Sequence, residues 1–125
     1  MQGKAGKDDA KHVLKQVVAA MQDKKAKNII SLDLQKIDDS VAKYFVLCHA
    51  PSSTQVNAIY DNVLEFVQKN CATKPFHREG YENSEWILID YFDIVVHVFR
   101  EDIRNFYKLE ELWGDAVLKK YESDE

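Results

Sequence analysis

In the stretch "ILIDYFDIVVHVF", residues 87–99, two carboxylates and an imidazole interrupt a strongly apolar run. Asp90 and Asp93 stand three apart, and His97 follows four later. These residue types hold divalent metals or work as an acid/base pair when their side chains converge on one atom. Four residues of extended chain, however, span roughly 13 Å, so a strand does not bring Asp93 and His97 onto one ion. The other reading makes Asp90 and Asp93 the polar punctuation of a hairpin turn, because Asp carboxylates accept local backbone N–H groups. On that reading His97 is a partly buried, hydrogen-bonded imidazole, and the stretch holds neither a catalytic nor a metal site.

The remaining candidates carry less. His12 falls on a helix, His49 at a strand end and His77 in a short strand, without the i, i+4 pairing of a helical metal site. Ser52 and Ser53 follow Pro51 rather than sit in a G-x-S-x-G elbow. No phosphate loop and no G-x-G-x-x-G is present, so no cofactor is expected. Cys48 lies in an apolar run and Cys71 in a turn-like segment, with no CxxC, and both read as inert thiols.

The chain has 125 residues, room for one domain with one core. Hydrophobic residues at 46% and charged residues at 30% describe an ordinary globular protein. No apolar run approaches the roughly 20 residues of a membrane helix. The first residues, "MQGKAGKDDAKHVLK", have neither an apolar leader core nor a transit-peptide composition, so a cytoplasmic protein is expected. A net charge of −4 argues against direct grip on nucleic acid, which draws its affinity from phosphate neutralisation.

The elements that must position these residues follow from periodicity. Ala10, Val13, Leu14, Val17, Val18 and Met21 form the stripe of an amphipathic helix starting at Asp8 or Asp9. "NIISLDL" alternates as a half-exposed strand, with Ile30, Leu32 and Leu34 on one side. Residues 44–50 are nearly all apolar and predict an interior strand. Ser52 and Gln55 form an S-x-x-Q capping box, and a second helix carries Val56, Ile59, Tyr60, Val63, Leu64 and Val67 to about Gln68. A short strand around Phe76–Arg78 leads to a hairpin of strands 85–90 and 93–99, with Tyr91 and Phe92 at its tip. Short helical pieces then let Leu109, Leu112 and Trp113 fold back on the sheet.

The predicted order is α-β-β-α-β-β-β-α: an α/β (α+β) domain with a mixed central sheet of about five strands and helices packed on it. It spans residues 1–125, with a core of about 8–116 and a short polar tail at 117–125. Trp86, Tyr91, Phe99, Phe106, Tyr107 and Trp113 crowd into the last third of the chain. Both hairpin strands are apolar on both faces, yet only two long helices are available to cover a whole sheet. An uncovered apolar sheet face is a binding surface or a dimer interface.

"GYENSEWILIDYFDIVVHVFREDIRNFYKLEELWGDA" resembles the ribosomal silencing factor, or Iojap-related, family. Glu79, Gly80, Trp86, Asp90, Asp93, Val96, His97 and Phe99 match the family's pattern through the hairpin. Arg104, Phe106, Tyr107, Leu109, Glu110, Leu112 and Trp113 match its continuation, and "YFVLCHAPSSTQV" is similar to the other family signature. Three departures stand out. Phe92 replaces the Gly usual between the two aspartates, Ala42-Lys43 replaces a Thr-Asp, and Ala50 replaces a Gly. A left-handed conformation costs a non-glycine residue roughly 1–2 kcal/mol, so the Phe predicts a different turn type at the tip.

The resemblance implies a nucleotidyltransferase-like fold without that superfamily's catalysis. It implies a bacterial homodimer that binds large-subunit ribosomal protein fourteen and sterically blocks small-subunit joining, repressing translation when nutrients are short. Trp86, Tyr91, His97 and Phe99 are the expected contact patch, with Asp90 and Asp93 shaping the turn that presents it. Two rivals stand beside this reading. A metal-dependent nucleotidyltransferase needs a Gly-Ser pair and Asp-x-Asp, neither of which is present. A generic cytoplasmic interaction module is distinguished by co-sedimentation with large ribosomal subunits.

Overall fold

The computed structural model describes residues 7–123, so the readings of residues 1–6 and of the last two acidic residues lie outside it. In chain order the elements are α1 (Lys7–Asp23), β1 (Lys27–Asp33), β2 (Tyr44–Ala50), α2 (Ser53–Cys71) and β3 (His77–Glu79). They continue with β4 (Trp86–Asp90), β5 (Ile94–Arg100), α3 (Glu101–Tyr107), α4 (Leu109–Leu112) and β6 (Val117–Tyr121). The two most continuously apolar segments, β2 and β5, take the centre of the sheet and pair in parallel, with α2 in the crossover between them. The strand order is β3-β4-β5-β2-β1-β6, and every other pairing is antiparallel.

Six strands form where about five were expected. The residues read as a polar tail supply the sixth: Val117–Tyr121 pairs with β1 along its length, from Asp33 opposite Val117 to Ile29 opposite Tyr121. Its composition looks like a tail because an edge strand packs on one neighbour only and carries lysines that discourage further pairing. Lys119 and Lys120 hold those positions.

Helices α1 and α2 cover one face of the sheet. Their stripes meet Ile29, Val46, Cys48, Ile87, Ile89, Val96 and Val98 in the larger core. Ser52 caps α2 by accepting the Gln55 N–H at 3.2 Å. Its hydroxyl donates to the Gln55 amide oxygen, so the capping box closes side chain to side chain and not onto the Ser52 backbone. Buried Asn62 on α2 donates to the Ala20 carbonyl and the Asp23 carboxylate, which ties the two helices together.

The other face has thinner cover. Ile30, Leu32, Leu34, Phe45, Leu47, Val95 and Phe99 form a second core there, beneath the 34–43 connection and the α3–α4 segment. Leu109 and Trp113 pack onto it as expected, the Trp113 ring edge-on to Phe45 at 5.5 Å. Leu112 does not, remaining 75% exposed. The helix ends at Leu112, and the chain leaves helical geometry at Trp113 (φ −114°, ψ 45°), the residue whose indole lies against Phe45.

Candidate protein-interaction surface

Alternation along β4 sends Ile87 and Ile89 to the helix side and Trp86 and Leu88 to the thinly covered side. Across the ladder Trp86 faces Phe99, and Leu88 faces His97. The Trp86 and Phe99 rings lie 4.9 Å apart, and the indole N–H donates to Nδ1 of His97 at 3.1 Å. Tyr107 at the end of α3 packs on the outer side of Trp86 at 5.1 Å, and Phe106 stands edge-on to Tyr107 at 4.9 Å. Exposure rises along this row. Phe99 is fully buried and Trp86 half-buried, whereas Tyr107 is 52% and Phe106 77% exposed.

The expected patch of Trp86, Tyr91, His97 and Phe99 is therefore only partly assembled. Trp86, His97 and Phe99 share a face, with the two latter buried beneath the first. Tyr91 lies on the opposite face, buried in the helix-side core, and not at an open hairpin tip. The signal was in the spacing: Trp86 and Tyr91 are five apart, and an odd separation in a strand places two side chains on opposite faces. Phe106 and Tyr107 were visible as part of an aromatic crowd, but only the docking of α3 puts them beside Trp86.

A buried polar cluster fixes that docking. Arg104 on α3 is 2% exposed; its Nη1 donates to the Asn28 carbonyl at 2.8 Å and to Nδ1 of His49 at 3.0 Å. Its Nε faces the Glu110 carboxylate at 3.4 Å. A bulge in β1 between Lys27 and Ile30, where Asn28 adopts φ +50°, presents the accepting carbonyl. Burial, and then the Arg104 charge, hold the His49 imidazole below its usual range, so the ring stays neutral and accepts. At the other end of the row Gly80 is obligatory. Its φ is +84°, and a Cβ there would collide with the Trp86 carbonyl oxygen.

The three chemistry-bearing residues of the hairpin are engaged separately. Asp90 Oδ1 accepts the Phe92 N–H at 2.7 Å. Asp93 offers its backbone carbonyl to the N–H groups of Lys43 and Tyr44, and its carboxylate stands 3.8 Å from the Lys43 ammonium. His97 lies inside the aromatic row, where burial pushes its pKa down to about 3. A neutral imidazole holding one indole N–H positions a tryptophan; it does not shuttle protons at neutral pH. Phe92 does take the positive φ that its identity argued against, at +77°, with a tight Asp93 N–H to Tyr91 carbonyl bond of 3.0 Å closing around it. The Asp90 carboxylate and the antiparallel ladder on either side over-determine this γ-turn, so the strain is carried.

Among the described residues no group of three or more His, Cys, Asp or Glu converges as a metal site, and no helix is long and apolar enough to cross a membrane. The family described as "Ribosomal silencing factor during starvation" matches residues 7–125. A ribosomal silencing factor of Bacillus subtilis is 43% identical over 108 residues, covering 86% of this chain and 90% of that protein. A crystal structure from Chromobacterium violaceum superposes with a TM-score of 0.78 at 34% identity, covering 83% of this chain and 85% of the other. One from Bacillus halodurans gives 0.75 at 37% identity, covering 90% and 98%.

Proposed function

The chain belongs to the ribosomal silencing factor family, and on that premise we propose that it binds large-subunit ribosomal protein fourteen and sterically blocks small-subunit joining. Its role is regulatory and non-enzymatic. The observation that carries the docking proposal is the aromatic row that climbs from buried Phe99 through Trp86 to exposed Tyr107 and Phe106. Large aromatic side chains held rigid from below are the groups that dominate interface energy. In this reading Trp86, Tyr107 and Phe106 make contact. His97 and Phe99 hold Trp86 in place, Asp90 and Asp93 shape the turn at the far end of the hairpin, and Tyr91 contributes to folding and not to the patch.

The same reading includes a homodimer in a bacterial cytoplasm. It is supported by the thin cover on this face and by exposed Leu112 and Leu118. A specific dimer buries at least about 1,000 Å² in total. The nucleotidyltransferase-like description of the fold belongs to this proposal too, and the mixed sheet with two long helices on one face supports it.

Co-sedimentation with purified large subunits, and pull-down with the isolated ribosomal protein, test the docking. Tyr107→Ala and Phe106→Ala should keep the wild-type melting temperature and lose at least about tenfold in affinity, the 1.4 kcal/mol of one anchor. Wild-type affinity in both variants would remove the patch from the interface. Light scattering at tens of micromolar reads the dimer, and a monomeric mass refutes it.

A further inference from the structure

Beyond β2 the helix side of the sheet changes character. The central strands present Val46, Cys48, Val96 and Val98 to the helices. Ser31 of β1 and Lys119 of β6 are a register pair on that same side, one hydroxyl and one ammonium where aliphatic side chains would be expected under a helix. Between this polar edge and α1 lies a cleft of about 690 Å³, on the opposite side of the sheet from Trp86.

The cleft is cationic in a chain whose net charge is −4. Lys11 and Lys15, one helical turn apart on α1, line one wall, and Lys119 lines the other, against a single carboxylate, Asp33. None of the three lysines forms an ion pair among the described residues; Lys119 rests over the Tyr121 ring at 5.1 Å. At the back, Ser31 Oγ and the Tyr121 hydroxyl share a hydrogen bond of 3.0 Å, and either can turn to donate outward. Asp33 spends one oxygen on Gln35, accepting its backbone N–H at 3.0 Å and its side-chain amide at 3.1 Å. Its second oxygen is left to accept a hydroxyl. Leu14, Val18 and Val117 supply apolar wall between these groups.

We infer that this cleft between α1 and the β1–β6 edge binds a nucleoside phosphate. Three ammonium groups converging from two sides match a multiply charged phosphate, for which lysine serves as a point charge. A lone carboxylate oxygen matches a sugar hydroxyl, and the aliphatic wall matches a base or sugar face. The volume lies within the range of small-molecule sites, and the lining is mostly polar, with Leu14, Val18, Ala19 and Val117 as its aliphatic part. Ligand held there spans α1 and β6, so it adds to the ties the edge strand already has, its pairing with β1 and the Gln22 amide on the Glu122 carbonyl at its end.

Amide NMR titration of the full chain with ATP, GTP and pyrophosphate tests this, with hydrogen exchange of the β6 amides as a second readout. Either nucleotide should shift Ser31, Lys119 and Tyr121 and slow exchange in β6, and pyrophosphate should bind at least tenfold more weakly. The Lys15→Ala/Lys119→Ala double variant, exposed at both positions and still folded by its spectrum, should lose at least tenfold in nucleotide affinity. Absence of shifts at millimolar nucleotide, or shifts confined to another surface, overturns the site. Pyrophosphate binding as tightly as nucleotide overturns the nucleoside class.

Discussion

The indole N–H of Trp86 donates to Nδ1 of His97 at 3.1 Å, diagonally across the β4–β5 ladder. The bond dictates the imidazole's tautomer, with its proton on Nε2, which is buried and unpartnered among the described residues. Protonating Nδ1 would break this bond and charge a ring enclosed by Phe45, Trp86 and Phe99.

Stability should therefore fall with acid before the carboxylates titrate. His97 titrates at about 3 when folded and near 6.5 when unfolded, so the unfolded chain binds the extra proton across that window. The contribution is complete above the unfolded value and is lost as pH drops below it, about 1 kcal/mol between pH 7 and 5.5. Urea melts of wild type and His97→Gln at those two pH values measure it. Equal pH dependence in both proteins would refute the assignment.

Tyr91 makes a sharper test of burial. Its hydroxyl is enclosed without a hydrogen-bond partner among the described residues, and burial raises its pKa above the usual phenol range. Tyr91→Phe removes an unsatisfied polar group and should be neutral or stabilising by up to about 1 kcal/mol. Tyr91→Ala opens a cavity in the helix-side core and should cost about 3 kcal/mol. Chemical denaturation of the pair reads both signs.

Phe92 is strained and 71% exposed, so its side chain returns little for its backbone conformation. Phe92→Gly should stabilise by about 0.5–1 kcal/mol, the relief of positive φ less the entropy glycine adds to the unfolded chain. A lowered urea midpoint would show that the Phe92 ring, 6.3 Å from Phe76, contributes more than its exposure suggests.

Arg104→Ala removes the pin that seats α3 and leaves the Glu110 carboxylate and the Asn28 carbonyl without their partner. A loss of about 3 kcal/mol is expected, measured by urea denaturation. Arg104→Lys should recover only part of it, because one ammonium does not reach Asn28, His49 and Glu110 together as the guanidinium fork does.

Much of this architecture is local and was legible as such. The helical stripes of α1 and α2, the unbroken apolar runs of β2 and β5 and the Ser52 cap all follow from periods of 3.6 and 2 and from one side-chain oxygen. The alternation that put Val95, His97 and Phe99 on one face and Ile94, Val96 and Val98 on the other is of the same kind. What periodicity does not contain is the identity of the neighbour. Val117–Tyr121 is a strand only because β1 offers an unpaired edge, and read by itself it is a polar tail. Phe92 accepts a positive φ only because two strands already paired on either side of it leave the chain no other way to close. Phe106 and Tyr107 become part of a surface only when Arg104 reaches a carbonyl 76 residues away in sequence and seats α3 beside Trp86. Side-chain period is a property of the backbone and repeats every few residues, whereas burial and exposure of an aromatic depend on contacts between segments far apart in the chain.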